Sequence, residues 1–275
     1  MNTKRLANVL KWHIIGNKKA ILHTMLYFAM AFSIIVFTQS ADSWFSRAFM
    51  YSDLEDAAQI IVIASVIVLV IMASRICFNM KTKDNFAQYA MLPATMGEKF
   101  VANLLYVTIV EAALIFGGLI ITDVLQAIIS ILVTGNASSV TLAVFDNLSD
   151  KLNIKFSAIS GQQLNLTFNS IMGYIFVHST YVLGGTFFRK RQFLYTTLMW
   201  FFVPALITSI LIGISAFVLY EIEKNGYIVS AKWLLNDFWD VVIAMIILIS
   251  LTIGTYYLAF RCFCRTQLIS NKFFN

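Results

Sequence analysis

Long apolar runs separated by shorter polar segments dominate this chain. Each run is about 20 residues or longer and carries few charges, as a helix needs in order to cross a hydrocarbon core about 30 Å thick. The pattern therefore predicts an all-α integral membrane protein in which residues 1–275 form a single transmembrane domain. The six predicted spans lie at about residues 21–39, 57–78, 101–122, 168–188, 193–219 and 241–260.

The third run is longer than one bilayer crossing, because apolar residues continue past Asp123 to Val133. A straight helix over 101–133 would be about 50 Å long at 1.5 Å per residue. We therefore expect a break at Gly117-Gly118 or at Asp123. The connection 123–167 then becomes the main external feature. The second external connection, 220–240, places acidic residues before Trp233 and Trp239, a pattern that favours a short helix at the interface.

Composition agrees with a membrane protein. Hydrophobic residues make up 59% of the chain, charged residues only 12%, and the mean hydropathy is +0.78. In a soluble protein of this size, so few charged residues could not cover so large an apolar content. Although the net charge is +6, its distribution by membrane side argues against a nucleic-acid partner.

The distribution of basic residues predicts the orientation. With six spans, both termini share one side, and that side collects fifteen of the twenty lysines and arginines. Positively charged loops stay in the cytoplasm. We therefore expect both termini to be cytoplasmic and the protein to lie in the plasma membrane.

Residues 1–20 are too polar to form a span. Within them, apolar residues recur at helical spacing while three basic residues lie elsewhere on the helical wheel, at positions 4, 5 and 11. This pattern predicts a cytoplasmic amphipathic helix on the membrane lipid of the inner leaflet, with Trp12 and His13 at interfacial depth. The alternative is an irregular basic tail. The apolar stripe consists of Leu6, Val9, Leu10, His13 and Ile14.

The cytoplasmic loop 79–100 predicts a second short helix. Asp84 can cap a helix over residues 85–91, which carries Phe86 and Tyr89 on one stripe. Pro93 ends it. A rigid, aromatic-faced helix at the membrane surface can transmit force to a soluble partner, whereas the alternative interpretation is an ordinary tight turn.

The start of the next helix carries its own signal. Thr95 and Glu98 have the T-x-x-E spacing of a capping box, in which each side chain accepts a hydrogen bond from the other residue's backbone N–H. We therefore expect a new membrane helix to begin directly after the loop.

The segment Leu92-Pro93-Ala94-Thr95-Met96-Gly97-Glu98-Lys99-Phe100 resembles the L-P-x-S-x-x-E-K-F signature of permease subunits of type-2 ABC transporters. Threonine stands where that signature has serine, which keeps the capping hydroxyl. The layout is also similar: an amphipathic helix precedes the first span, and a short basic link joins spans four and five.

This resemblance implies a half-transporter in the bacterial inner membrane, in which two permease chains, identical or different, work with separate ABC ATPase subunits as an exporter. Loop 79–100 would be its coupling loop. ATP and Mg would be bound by the ATPase, with no cofactor on this chain. The resemblance indicates no particular substrate. The residues implied in ATPase coupling are Asp84, Phe86, Tyr89, Leu92, Pro93, Thr95, Glu98 and Lys99.

Three other classes of protein are alternatives to the permease. The sequence contains no G-x-x-x-x-G-K-[ST] phosphate-binding loop, and we expect no catalytic activity on this chain. A membrane scaffold or immunity-type protein that only binds a partner is the main alternative. A secondary transporter would show internal repeats, and an intramembrane enzyme would need a nucleophile with its base.

Two ionisable residues fall near the middle of predicted spans. Glu111 lies in the third span and His178 in the fourth, so a contact between them is geometrically possible. Ionisable groups at this depth are costly and indicate a substrate path or a proton relay; the alternative is a structural hydrogen bond between helices. Tyr174 and Tyr181 share a stripe with His178. No metal site is predicted, since the three histidines lie at different levels.

Overall fold

The computed structural model is helical apart from one small hairpin. It describes residues 2–46, 51–80, 83–135, 138–152, 155–157, 163–188, 191–224 and 237–265. The helices are α1 (Thr3–Gly16), α2 (Lys18–Ser46), α3 (Tyr51–Ala73), α4 (Lys83–Ala90), α5 (Met96–Leu105), α6 (Glu111–Thr134), α7 (Val140–Leu152), α8 (Leu166–Phe187), α9 (Gln192–Lys224) and α10 (Asp237–Cys264). Strands β1 (Lys155–Ser157) and β2 (Gln163–Asn165) pair antiparallel.

Five helical stretches are long and apolar enough to cross a membrane, which indicates a multi-pass membrane protein. They are Lys18–Ser40, Leu54–Met80, Met96–Val133, Gln192–Ile210 and Met245–Cys264. The sixth predicted span, 168–188, corresponds to α8, which is not among these five; the count of six therefore stays a prediction.

The break expected in the third span is not at Gly117-Gly118 or at Asp123. Instead, α6 runs unbroken through both positions, and the irregularity lies earlier, in a π-helical turn over Tyr106–Val110 between α5 and α6. The glycines serve close packing. A Cβ on Gly118 would meet the Cβ of Phe28 at 2.7 Å, so α2 and α6 touch closely there.

Asp123 has a different role from the predicted one. Its Oδ1 accepts hydrogen bonds from the backbone N–H of Val140 at 2.6 Å and of Thr141 at 3.1 Å. The carboxylate thus satisfies free N–H groups at the start of α7. As a result α7 folds back beside α6 and packs on α3, inside the region that the sequence assigned to an external connection.

Buried side chains form two apolar clusters. One joins α2, α3, α6 and α7 around Leu54, Ile61 and Val140. The other joins α1, α3, α4, α5, α8 and α10 around Tyr89 and Phe263. The second cluster includes residues of α1 and α4, the two short helices outside the predicted spans. The candidate site is built on this cluster. Residues 225–236, with the predicted aromatic helix around Trp233, lie outside the described residues.

Candidate functional site

The predicted capping box is present at the start of α5. The Oγ1 of Thr95 accepts a hydrogen bond from the Glu98 backbone N–H at 3.3 Å, and Glu98 Oε2 accepts one from the Thr95 backbone N–H at 2.9 Å. Two N–H groups that would lack partners at a helix start are thereby satisfied. The turn after Pro93 therefore passes into α5 at a fixed angle.

Glu98 also holds α1, which the sequence did not predict. Its second carboxylate oxygen, Oε1, accepts a hydrogen bond from the backbone N–H of Asn2 at 2.7 Å. Asn2 is the N-cap of α1, and its own side chain accepts from the Lys4 N–H at 3.0 Å. One carboxylate thus joins the first residues of two helices that are 96 positions apart in sequence.

Lys99 and Phe100 extend the same junction. Lys99 Nζ donates to the backbone carbonyl of Ala90, the last residue of α4, at 2.9 Å and lies 5.5 Å from the centre of the Tyr89 ring. A cation at the C-terminal end of a helix stabilises its unpaired carbonyls. Phe100 packs edge-on against Phe260 and Phe263 of α10. The segment of the ABC signature therefore connects α1, α4, α5 and α10.

Tyr89 does not face a partner, contrary to the sequence-based expectation. It is only 1% exposed, and its hydroxyl lies 3.1 Å from both the Lys99 carbonyl and Asn103 Oδ1. Burial raises the pKa of Tyr89 far above its usual value. The aromatic stripe of α4 packs inward because the polar side chains of the helix take the solvent-exposed face.

The outward face of α4 is consequently polar with one apolar residue. Asp84, Asn85 and Gln88 are exposed, and Met91, just beyond the helix, is 83% exposed. Phe86 is half-buried. These residues form the surface that α4 offers to another molecule.

His13 is buried as well, and not at a lipid interface as its position suggested. It is fully buried inside four aromatic rings, whose centroids lie 5.3 to 5.8 Å from the imidazole. Its Nδ1 lies 2.7 Å from Asn79 Nδ2. The Asn79 amide can donate to Nδ1 of a neutral imidazole. The rings belong to Trp12, Phe78, Tyr89 and Tyr106.

This environment predicts a pH dependence of stability. Burial lowers the pKa of His13 to about 4, with the neighbouring Asn103 side chain acting in the opposite direction. The folded protein then binds fewer protons than the unfolded chain between the ordinary histidine pKa near 6.5 and pH 4, so stability falls as the pH drops through this window. The loss approaches about 3 kcal/mol at the acid end.

Melting temperatures in detergent between pH 7.5 and 4 test this. His13→Gln keeps an acceptor for Asn79 but cannot titrate, so its melting temperature should decline less than that of the wild type. His23→Gln changes an exposed histidine and should retain the wild-type decline. Equal declines in all three proteins would contradict a neutral, buried His13.

The predicted contact between Glu111 and His178 does not form. His178 bonds Tyr256 instead, and neither His178 Nε2 nor Glu111 Oε2 has a hydrogen-bond partner among the described residues. Glu111 is 8% exposed, and its Oε2 has no hydrogen-bond partner among the described residues. It follows directly on the π-helical turn over Tyr106–Val110, a distortion that is frequent at functional sites.

His178 instead joins α8 to α10. Its Nδ1 lies 2.8 Å from the Tyr256 hydroxyl, and Nε2 is buried with no hydrogen-bond partner in the described part of the chain. The adjacent Ser179 bonds Thr255 at 2.6 Å. The sequence offered no signal for these partners on α10, because any of several hydroxyl residues there could have faced α8.

The two tyrosines of the predicted stripe differ in their surroundings. Tyr181 is buried, and its hydroxyl lies 3.0 Å from Thr197 Oγ1 on α9. Tyr174 is half-buried, with its ring centroid 6.1 Å from that of His178. Thus the predicted pathway residues lie in two places: Glu111 on α6, and Tyr174, His178 and Tyr181 on α8.

No group of three or more histidine, cysteine, aspartate or glutamate side chains is arranged to hold a metal ion within the described ranges. Comparison of the chain with known protein families, with curated proteins and with solved structures finds no match. The geometry of the junction is therefore the basis for a functional assignment.

Proposed function

We propose that the chain is the membrane-spanning permease subunit of an ATP-driven exporter of the type-2 ABC class. In this proposal two permease chains form the substrate path, separate ATPase subunits bind ATP and Mg, and both termini face the cytoplasm of a bacterial cell. The signature-like segment 92–100 and the apolar helices support it.

The observation that carries the proposal is the way α4 is held. Its buried face is fixed by Tyr89, and its C-terminal end by Lys99, while Asp84, Gln88 and Met91 remain exposed. A force applied to the exposed face is passed to the first residues of α5 because Lys99 belongs to that helix. From there Glu98 reaches α1 and Phe100 reaches α10.

The substrate path is proposed to use buried polar atoms that have no hydrogen-bond partner among the described residues. Glu111 Oε2 and His178 Nε2 are such atoms on two apolar helices. Unpaired polar atoms are costly in a membrane, so both residues remain candidates for contact with substrate. Tyr174 and Tyr181 lie on the same helix as His178.

Replacement of Met91 tests the ATPase contact without disturbing the core. Because Met91 is 83% exposed, Met91→Glu should leave the melting temperature unchanged but introduce a charge into the contact with the ATPase. We expect at least about a tenfold loss of the ATPase recovered with the tagged chain in mild detergent, since burying one unpaired charge in an interface typically costs more than 1.4 kcal/mol. Tyr89 is unsuitable for this purpose because its replacement would damage folding.

The matched control is Ala7→Glu, which places the same charge on an exposed position of α1. It should leave recovery of the ATPase intact. If the folded wild-type chain captures no ATPase under any condition, the permease proposal fails and a partner-binding scaffold becomes the better interpretation. If both variants lose the ATPase equally, the contact does not lie on α4.

A further inference from the structure

A groove of about 640 Å³ lies between α1 and the turn that precedes α5. One wall is a face of α1, and the other is the Leu92–Thr95 part of the signature-like segment. None of the contacts that hold the junction together occupies this space. The groove is lined by Arg5, Asn8, Val9, Trp12, Leu92, Pro93, Ala94 and Thr95.

The walls of the groove lie at a membrane boundary. Thr95 directly precedes the apolar stretch Met96–Val133, and α1 is followed after one residue by the apolar stretch Lys18–Ser40. The hydrogen bond between the Asn2 N–H and Glu98 keeps the beginning of α1 level with the first turn of α5. The beginning of α1 is therefore held beside the start of one candidate span, and its end leads directly into another.

The charge of the lining is one-sided. Among the residues that the structure describes, Arg5 is the one cation of the lining, and the lining contains no carboxylate. The nearest acidic group of the junction, Glu98, is only 2% exposed and already accepts hydrogen bonds from two backbone N–H groups. Arg5 interacts electrostatically with Glu98. An anion entering the groove meets this guanidinium, whose N–H groups are suited to phosphate oxygens.

The remaining lining matches the rest of a lipid molecule. Val9, Leu92 and Pro93 offer apolar surface next to the cation, and the half-buried Trp12 belongs to the residue type favoured at the boundary between headgroups and acyl chains. The Asn8 amide can both donate to and accept from a headgroup hydroxyl. A soluble anion would use only the polar part of this surface.

We propose that this groove is a binding site for one anionic glycerophospholipid, with its phosphate on Arg5 and the first carbons of its acyl chains along Val9 and Leu92. The groove shares Leu92, Pro93 and Thr95 with the residues implied in ATPase coupling, whereas the ATPase contact proposed above uses the outward face of α4. A bound lipid would contact α1 and the signature-like turn at once, and so would stabilise their junction.

Quenching of Trp12 fluorescence by brominated lipids tests the proposal. The chain is reconstituted into phosphatidylcholine nanodiscs that contain a small fraction of brominated phosphatidylglycerol or, in parallel, of brominated phosphatidylcholine. The Trp12→Phe variant isolates the Trp12 signal from that of the other four tryptophans. We expect the apparent affinity from quenching to be about fivefold higher for phosphatidylglycerol than for phosphatidylcholine, because one basic residue near an anionic headgroup has an effect of this size.

In the Arg5→Gln variant, phosphatidylglycerol should quench Trp12 no more tightly than phosphatidylcholine does. The Lys11→Gln variant, changed on the same helix but outside the lining, should retain the preference for phosphatidylglycerol. Equal quenching by the two lipids in the wild type would overturn the proposal. So would loss of quenching on addition of soluble glycerol phosphate, which would identify a phosphate site without lipid character. Displacement of the lipid by the ATPase would assign the groove to a protein contact and would equally refute the lipid site.

Discussion

Gly185→Ala is expected to leave little folded protein. A Cβ at this position of α8 would collide with the backbone carbonyl of Ser74, at the end of α3, and would also press on the Ile76 side chain at 3.2 Å. A flexible side chain can move aside, but a backbone carbonyl moves only with its helix. Overpacking of a tight contact costs about 1–3 kcal/mol or more, and this contact joins α8 to the cluster around Tyr89.

Gly173→Ala is the matched control, because it makes the same change on the same helix where no atom lies within 4 Å of the new Cβ. That variant should fold as well as the wild type or slightly better, since alanine favours helix more than glycine does. The yield of monodisperse protein in detergent and its melting temperature measure both outcomes. Equal behaviour of the two variants would show that α3 and α8 are not closely packed at Gly185.

The local features of the chain were predictable from its sequence. The apolar runs, the helix over residues 3–16 and the Thr95–Glu98 capping box each depend on residues a few positions apart, so the spacing of residue types is sufficient to find them. At the end of α8, Gly184 and Gly185 pack closely against Thr196 and Ser74.

Which side of each short helix is buried was less predictable. Tyr89 and His13 lie on amphipathic helices, and an aromatic stripe at a membrane surface suits a partner or a lipid as well as it suits a core. What decides their burial is that α1 and α4 pack on α5 and cover each other, with the two rings 5.6 Å apart. Contacts between segments more than 60 residues apart leave no periodic trace in one sequence.

Asp123 shows the same limit in another form. A carboxylate in the middle of an apolar run indicates an interruption, because a charge without partners is costly there. The sequence does not reveal that the chain returns after Gly135 and places the first N–H groups of α7 on that carboxylate. For Glu111 and His178, shared depth suggested a contact, but His178 bonds Tyr256 of α10 instead.

In the proposed exporter, Glu98→Ala is expected to uncouple α1 from α5 and so to abolish transport. The substitution removes both acceptors at once: Oε1, which holds the Asn2 N–H, and Oε2, which completes the capping box with Thr95. The Thr95→Ala variant loses only the hydroxyl of that box, a change of about 1 kcal/mol, and leaves α1 attached. Glu98→Ala should therefore lower the melting temperature clearly more than Thr95→Ala does.

A structural defect is separated from a coupling defect by measuring the ATPase in the assembled complex. Glu98→Ala should still bind the ATPase, because the exposed face of α4 is unchanged, but substrate should no longer alter the rate of ATP hydrolysis. The Glu98→Gln variant retains one carbonyl acceptor and should recover part of the response. The control Glu55→Ala removes an exposed carboxylate near the beginning of α3 and should behave as the wild type. Normal coupling in Glu98→Ala would show that motion of α4 reaches the membrane helices by a route other than this carboxylate.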